Sequence, residues 1–170
     1  QHSSLTYNYS HGHLSLGRGN PYFFNMNESL LLNSNFPPAE YLWWEHEIHW
    51  FQYDWGVLLM DEINTLKNRF LTFHRYGINR MNWRLGFTEA VLGTYTDLGS
   101  AELGYFTPAA VLLETEINRG INANLLWLID GIYKWNNWTF YGEFLIDDFA
   151  LDGNSPPQVA AVLGIGKKIN

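Results

Sequence analysis

A period of two dominates this chain, and it limits the fold more than any other property of the sequence. In Phe51-Gln-Tyr-Asp-Trp-Gly-Val-Leu-Leu59 the odd positions carry Phe51, Tyr53, Trp55, Val57 and Leu59, while the even ones include Gln52, Asp54 and Gly56. Successive side chains of a strand point to opposite faces, so such a segment is a strand with one apolar face and one polar face. The same pattern returns in Asn137 to Asp148, where Trp138, Phe140, Phe144 and Ile146 oppose Thr139, Tyr141, Glu143 and Asp147. It returns again where Leu125, Trp127, Ile129, Tyr133 and Trp135 oppose Asn124, Asp130 and Lys134, and where Trp83, Leu85 and Phe87 oppose Arg84, Gly86 and Thr88. Less regular segments bounded by Gly, Pro, Asn or Asp run through Leu5 to Tyr9, Tyr41 to His49, Arg69 to Ile78 and Val159 to Lys167. The expectation is an all-β antiparallel chain of roughly eight to nine strands, each about ten residues long. Short helical turns are expected near Met26 to Leu31, within Asp61 to Lys67 and around Pro108 to Ile117. An irregular folded-in loop is expected near residues 17–40.

Two placements satisfy this alternation. A soluble sandwich turns its ring-bearing faces inward, whereas an outer-membrane barrel turns them to lipid and its polar groups to a wet lumen. Aromatic residues make up 17% of the chain and charged residues only 16%, where an ordinary globular protein is nearer a quarter charged. The polar faces are Asn, Gly, Thr, Tyr and isolated acids with very little Lys, unlike the solvent face of a sandwich. Trp43, Trp44, Trp50, Trp83, Trp135 and Trp138 lie toward strand ends, where interfacial belts place amphipathic rings. Composition therefore favours a transmembrane β-barrel, with the 170 residues forming a single barrel domain or barrel segment. No run reaches the roughly 18 apolar residues of a membrane-spanning helix. A start at Gln1, with no charged opening or apolar signal core, is what a chain with its targeting segment removed, or an internal portion of a longer one, shows.

Several classes of chemistry are weakened by the same residues. A net charge of −7 with ten Lys and Arg scattered along the chain argues against a nucleic-acid partner. The absence of cysteine removes disulfides and thiolate chemistry. Glu45, Glu47 and His49 alternate along one strand and offer metal-ligand atoms, yet neighbours on a single strand stand too far apart to close a coordination shell. No metal and no cofactor is expected. Glu143 with Asp147 and Asp148 invites a glycosidase reading, and His74 beside Arg75 a general base with an anion clamp, but neither brings a matching partner group. A structural polar network is the plainer account. The glycines of Gly17-Arg-Gly19 and Gly164-Ile-Gly-Lys-Lys168 lack the spacing of a phosphate loop.

The order of several segments resembles the Wzi-type capsule assembly proteins: GRGNPYFFNMNESLLLNSNFPPAEYL (Gly17 to Leu42), FLTFHRYGIN (Phe70 to Asn79), WRLGFTEAVLG (Trp83 to Gly93), GYFTPAAVLLETE (Gly104 to Glu116), NANLLWLIDG (Asn122 to Gly131) and FYGEFLIDDF (Phe140 to Phe149). The likeness runs from about Gly17 to Asp152. That family comprises outer-membrane β-barrels of Gram-negative bacteria associated with holding capsular polysaccharide at the cell surface. Its members are longer, with larger barrels, so the resemblance implies an internal part whose closing strands lie outside these residues. It implies a non-enzymatic protein whose partners are membrane lipid, surface polysaccharide and other outer-membrane proteins. It also implies an interior ionic network of His74, Arg75, Glu89, Glu143, Asp147 and Asp148. The aromatics Trp43, Trp44, Trp50, Trp83, Trp135 and Trp138 are candidates for saccharide stacking or for the membrane interface. Strict alternation from Trp83 places Glu89 on the apolar face, which calls for a bulge near Thr88 or a position above the lipid zone. Two rival functions stay open: a structural or channel-forming barrel subunit of a larger outer-membrane complex, and a secreted carbohydrate-active enzyme.

Overall fold

A computed structural model describes residues 3–20, 29–32, 37–60, 68–95, 106–108, 112, 124–147 and 158–168. Nine strands follow one another along the chain: β1 (Ser3–Tyr9), β2 (Gly12–Gly19), β3 (Ala39–Ile48), β4 (Phe51–Met60), β5 (Asn68–Asn79), β6 (Trp83–Tyr95), β7 (Asn124–Trp135), β8 (Trp138–Asp147) and β9 (Gln158–Lys167). They form one antiparallel sheet in sequence order, each strand paired with its chain neighbours, and β1 and β9 are its two edges. The sheet is not closed by these strands. No helix among the described residues is long and apolar enough to cross a membrane. The expected helical turns fall mainly outside the described residues.

β2 was not legible in the sequence, because only Leu14 and Leu16 mark its apolar side among Gly, Ser and His. The irregular loop expected near 17–40 is correspondingly narrower. Gly17 to Gly19 belong to β2, and Ala39 and Glu40 open β3.

Four tight turns gather at one end of the sheet, at Ser10–His11, His49–Trp50, Met81–Asn82 and Asn136–Asn137. His49 and Asn136 take positive φ values of 57° and 53°, as the first residue of a two-residue hairpin loop requires. The connections at the other end, 20–38, 61–67, 96–123 and 148–157, are longer.

The register is staggered in one direction throughout. The row through the first closing pair, Tyr9 and Gly12, continues to His46 and Tyr53, each two residues short of the second closing pair, Ile48 and Phe51. That second row continues to Ile78 and Leu85, again two residues short of the third pair, Arg80 and Trp83, where the Arg80 N–H bonds the Trp83 carbonyl. The third row meets Tyr133 and Phe140, two residues short of Trp135 and Trp138. Two residues per hairpin is one residue per strand. With a rise of about 3.3 Å per residue and about 4.8 Å between strands, that slope corresponds to a tilt of about 35°, the value of barrel walls.

The pleat separates two faces, and the described ladders are continuous, so the separation holds from β1 to β9. Every exposed large apolar side chain that lies in a strand lies on the same face, from Leu5 and Tyr7 through Tyr76, Leu85 and Ile129 to Phe144 and Leu163. The other face, called inner here, divides along its length. Toward the tight turns it is polar, with Gln52, Asp54, Arg75, Thr88, Asp130 and Glu143 all buried. Toward the long connections it is an apolar core of Ala39, Leu58, Met60, Leu71, Phe73, Ala90 and Leu126, closed by Leu31 and Leu32 from the β2–β3 connection.

At the centre of the inner face the polar groups are buried and not hydrated as expected. Arg75 and Asp54 are 0% exposed and Asp130 is 1% exposed, and the Arg75 side chain reaches across β6 to Asp130. Glycine makes that reach feasible. A Cβ at Gly86 would run into Nη2 of Arg75 and Oδ2 of Asp130, and one at Gly77 would stand 2.8 Å from Nη1 of Arg75. Gly86→Val should therefore lower the thermal unfolding midpoint, followed by loss of compact gel mobility, by an amount corresponding to roughly 1–3 kcal/mol. Gly131→Ala, whose Cβ would meet the flexible Leu85 Cδ2 at 3.1 Å and the Arg84 carbonyl at an ordinary 3.7 Å, should shift it little. Equal midpoints for the two variants would remove the steric account.

Candidate functional site

The inner polar cluster is built by register. Asp54 of β4 lies opposite Arg75 of β5, and Arg75 lies opposite Thr88 of β6. Because Gly86 leaves a gap in β6, the Arg75 guanidinium extends over it to Asp130 of β7. Nη2 donates to Oδ1 at 2.8 Å and to Oδ2 at 3.1 Å, and Nε donates to Oδ2 at 3.2 Å. Nη1 stands 3.6 Å from Oδ2 of Asp54. The Asp54 carboxylate also accepts two 3.0 Å bonds from Gln52 Nε2, and Gln52 Oε1 accepts from Asn79 Nδ2 at 2.9 Å. A forked donor between two carboxylates, with the remaining acceptor sites used by amides, is how a buried charge is kept tolerable. Here it ties three strands together laterally. Glu143 on the same face accepts the Leu30 N–H at 2.6 Å, which fixes the β2–β3 connection against β8.

The six residues expected to form one network are thus divided. Arg75 and Glu143 are inner. Asp147 shares their face at the far end of β8, half-buried, and Asp148 lies outside the described residues. His74 and Glu89 are direct cross-strand partners on the opposite, ring-bearing face. No bulge near Thr88 moves Glu89 inward, since the ladders on both sides of β6 run without interruption. Instead a piece of the β6–β7 connection covers the pair. The Leu112 N–H donates to Oε2 of Glu89 at 3.0 Å, and Tyr53 donates its hydroxyl to the Pro108 carbonyl. Phe106 and Leu112 pack there on Phe70, Val91 and Leu125. The Glu89 carboxylate on this apolar face thus accepts from the chain's own backbone.

Asp54, Asp130, Gln52 and Asn79 were absent from the expected network. The signal was present, since Asp54 and Asp130 each stand on the polar side of a ring-bearing strand. What a single strand could not supply was the register that sets both beside Arg75.

The six aromatics also separate. Trp50, Trp83, Trp135 and Trp138 gather along the tight-turn rim, with Trp44 half-buried on the ring face above them. Trp43 is inner, its ring 4.9 Å from that of Phe73 at 66°, and so takes no part in an outward belt. A continuous run of rings crosses the first strands: Trp44 Nε1 donates to the Tyr9 hydroxyl at 2.8 Å, that hydroxyl lies 2.9 Å from Nδ1 of His46, Trp44 meets Tyr53 edge-on at 5.8 Å, and Tyr53 lies 5.4 Å from Tyr76 with the rings tilted at 45°.

Glu45, Glu47 and His49 line a shallow cavity of about 320 Å³ with Ser10, His11 and Gly12. His49 sits in the turn and leaves the shared face of the two acids. Among the described residues, no three His, Asp or Glu side chains are placed to hold a metal ion. Glu143 and Asp147 lie four residues apart on one strand, about 13 Å by strand rise, wider than the roughly 5–9.5 Å across which glycosidase carboxylates act.

No family model, curated protein or solved structure matches the chain.

The Arg75 brace makes a two-part prediction. Arg75→Leu leaves two buried carboxylates facing each other and should cost about 3–5 kcal/mol, seen as an earlier loss of compact gel mobility on heating. Adding Asp54→Asn and Asp130→Asn to that variant should recover at least half of the loss. A transition unchanged by Arg75→Leu would show that the brace holds nothing.

Proposed function

We propose that this chain is a wall section of an outer-membrane β-barrel of the capsule assembly type, non-enzymatic, acting in the attachment or assembly of surface polysaccharide. The observation that carries the membrane part is the one-sidedness of exposure, in which every exposed large apolar strand residue falls on one face of a sheet staggered at barrel tilt. A contiguous apolar face of this extent is costly in water and favourable against acyl chains. The motif order from Gly17 to Asp152 supports the narrower assignment to capsule assembly.

The two ends of the sheet then take different roles. In bacterial barrels the short turns face the periplasm and the long connections face outward. Trp50, Trp83, Trp135 and Trp138 would then be interfacial anchors, and polysaccharide would be met by the long-connection end through rings, amides and acids. Other outer-membrane proteins would meet the same wall. Alanine at both Trp135 and Trp138 should reduce insertion into vesicles several-fold while leaving polysaccharide retention per inserted molecule unchanged, measured by flotation and by a saccharide array. Loss of saccharide retention without loss of insertion would place the sugar contact at the turn end and overturn this division.

One observation favours a second reading, a structural subunit of a larger outer-membrane assembly. The ring face of β4 to β7 is bare only near the tight turns, because Phe106, Pro108 and Leu112 lie over it farther up. Copurification with a fixed protein partner from membranes, together with no binding to any polysaccharide of the source organism, would select it.

A further inference from the structure

Three separate stretches, 76–88, 131–142 and 159–168, run into the tight-turn end of β5 to β9, the last of them spanning nearly all of β9. None contains Asp or Glu, and together they hold Arg80, Arg84, Lys134, Lys167 and Lys168, half of the chain's ten Lys and Arg. This is a basic arc on a chain of net charge −7. The first acids inward from the fourth turn are Asp130 and Glu143, both buried on the inner face.

Two of the cations sit beside rim tryptophans. The Arg80 guanidinium carbon is 5.3 Å from the Trp50 ring centroid, and the Lys167 ammonium is 5.0 Å from that of Trp138. Lys167 lies opposite Trp138 in the ladder, and the Lys168 N–H bonds the Asn137 carbonyl at 2.8 Å, so the end of β9 is fixed against the fourth turn. Lys134 lies opposite Thr139 on the inner side of the same rim, and Arg80, Lys134, Lys167 and Lys168 are exposed. On the β1 to β4 side the same rim instead carries Ser10, His11, Glu45, Glu47 and His49. The rim is therefore charged asymmetrically around the wall, basic on one side only.

We infer that the tight-turn rim of β5 to β9 is a binding surface for anionic glycerophospholipids, with Arg80, Lys134, Lys167 and Lys168 on the headgroup phosphates and the neighbouring tryptophans at the boundary with the acyl chains. The inference rests on the membrane-wall reading above. Charge complementarity selects the partner: exposed cations gathered at the rim where an apolar ring face ends stand near phosphate depth, and the three stretches carry no carboxylate of their own, Glu47 reaching only the Asn79 amide at 3.5 Å. Zwitterionic headgroups offer a phosphate already offset by an amine, so anionic lipid is preferred. Salt weakens the preference because the charges are exposed.

The test uses the full chain in phosphatidylcholine vesicles with and without phosphatidylglycerol. Quenching of tryptophan fluorescence by brominated forms of each lipid reports their relative association with the rim. The expected result is a preference for phosphatidylglycerol of about tenfold or more, falling with salt. It should drop to within about twofold when Arg80, Lys134, Lys167 and Lys168 are all changed to Gln, and remain when Arg18→Gln is made at the far end of β2. Equal quenching by both lipids in the unaltered protein, or a preference that survives the fourfold change, overturns the inference. So does tighter retention of lipopolysaccharide than of phosphatidylglycerol, which would assign the arc to the opposite leaflet. Flotation with neutral vesicles separates the two levels: protein that floats but shows no anionic preference defeats this inference alone, and protein that does not float defeats the wall reading with it.

Discussion

The pleat of a hydrogen-bonded strand is the constraint on which the rest of this molecule depends. Once β1 to β9 are locked in uninterrupted antiparallel register, each residue's face is decided for the whole sheet, and a one-residue slip would exchange every ring for a polar group. The tight turns enforce this. Each joins its strands through two residues, and each is offset from the last by two, so register and tilt are set together. The backbone groups are satisfied between strands, which leaves side chains alone to distinguish the faces.

Arg75 shows what that constraint permits. A guanidinium is expensive to bury, and it is held here because Gly86 lets it cross a strand to a bidentate partner while Asp54 stands on its other side. The cluster contributes lateral specificity more than stability, since a pair of buried charges against well-packed apolar residues is close to balance. Glu143 acts on a different joint by fixing the β2–β3 connection through the Leu30 amide. On the outer side, Glu89 and the Leu112 amide bring the β6–β7 connection down over the wall. Across β4 to β7 the sheet is therefore covered from both sides toward its long connections and left bare on its ring side toward the turns.

That distribution bears on function. A bare ring face bordered by tryptophan and lysine is suited to a lipid boundary, whereas the covered region presents the β6–β7 connection to its surroundings. On the proposed reading, one sheet meets lipid near one end and protein or saccharide near the other.

The sequence by itself determined the faces. Alternation in 51–59, 83–88, 125–135 and 137–148 separates rings from polar groups because strand geometry has a period of two and needs no partner to express it. The turn near His49 and the antiparallel class were equally legible for that local reason. The weakly marked β2 escaped notice, since glycine and serine carry no facial signal. Only the tertiary structure decided which polar residues meet. His74 and Arg75 are adjacent in sequence and so face opposite ways, while Asp54 and Asp130 reach Arg75 from strands distant in the chain. The inward turn of Trp43, the cover over Glu89 and the assembly of three acid-free stretches into one basic arc also depend on inter-strand register and chain reversal. Those are relations between segments, and a pattern within any one segment does not contain them.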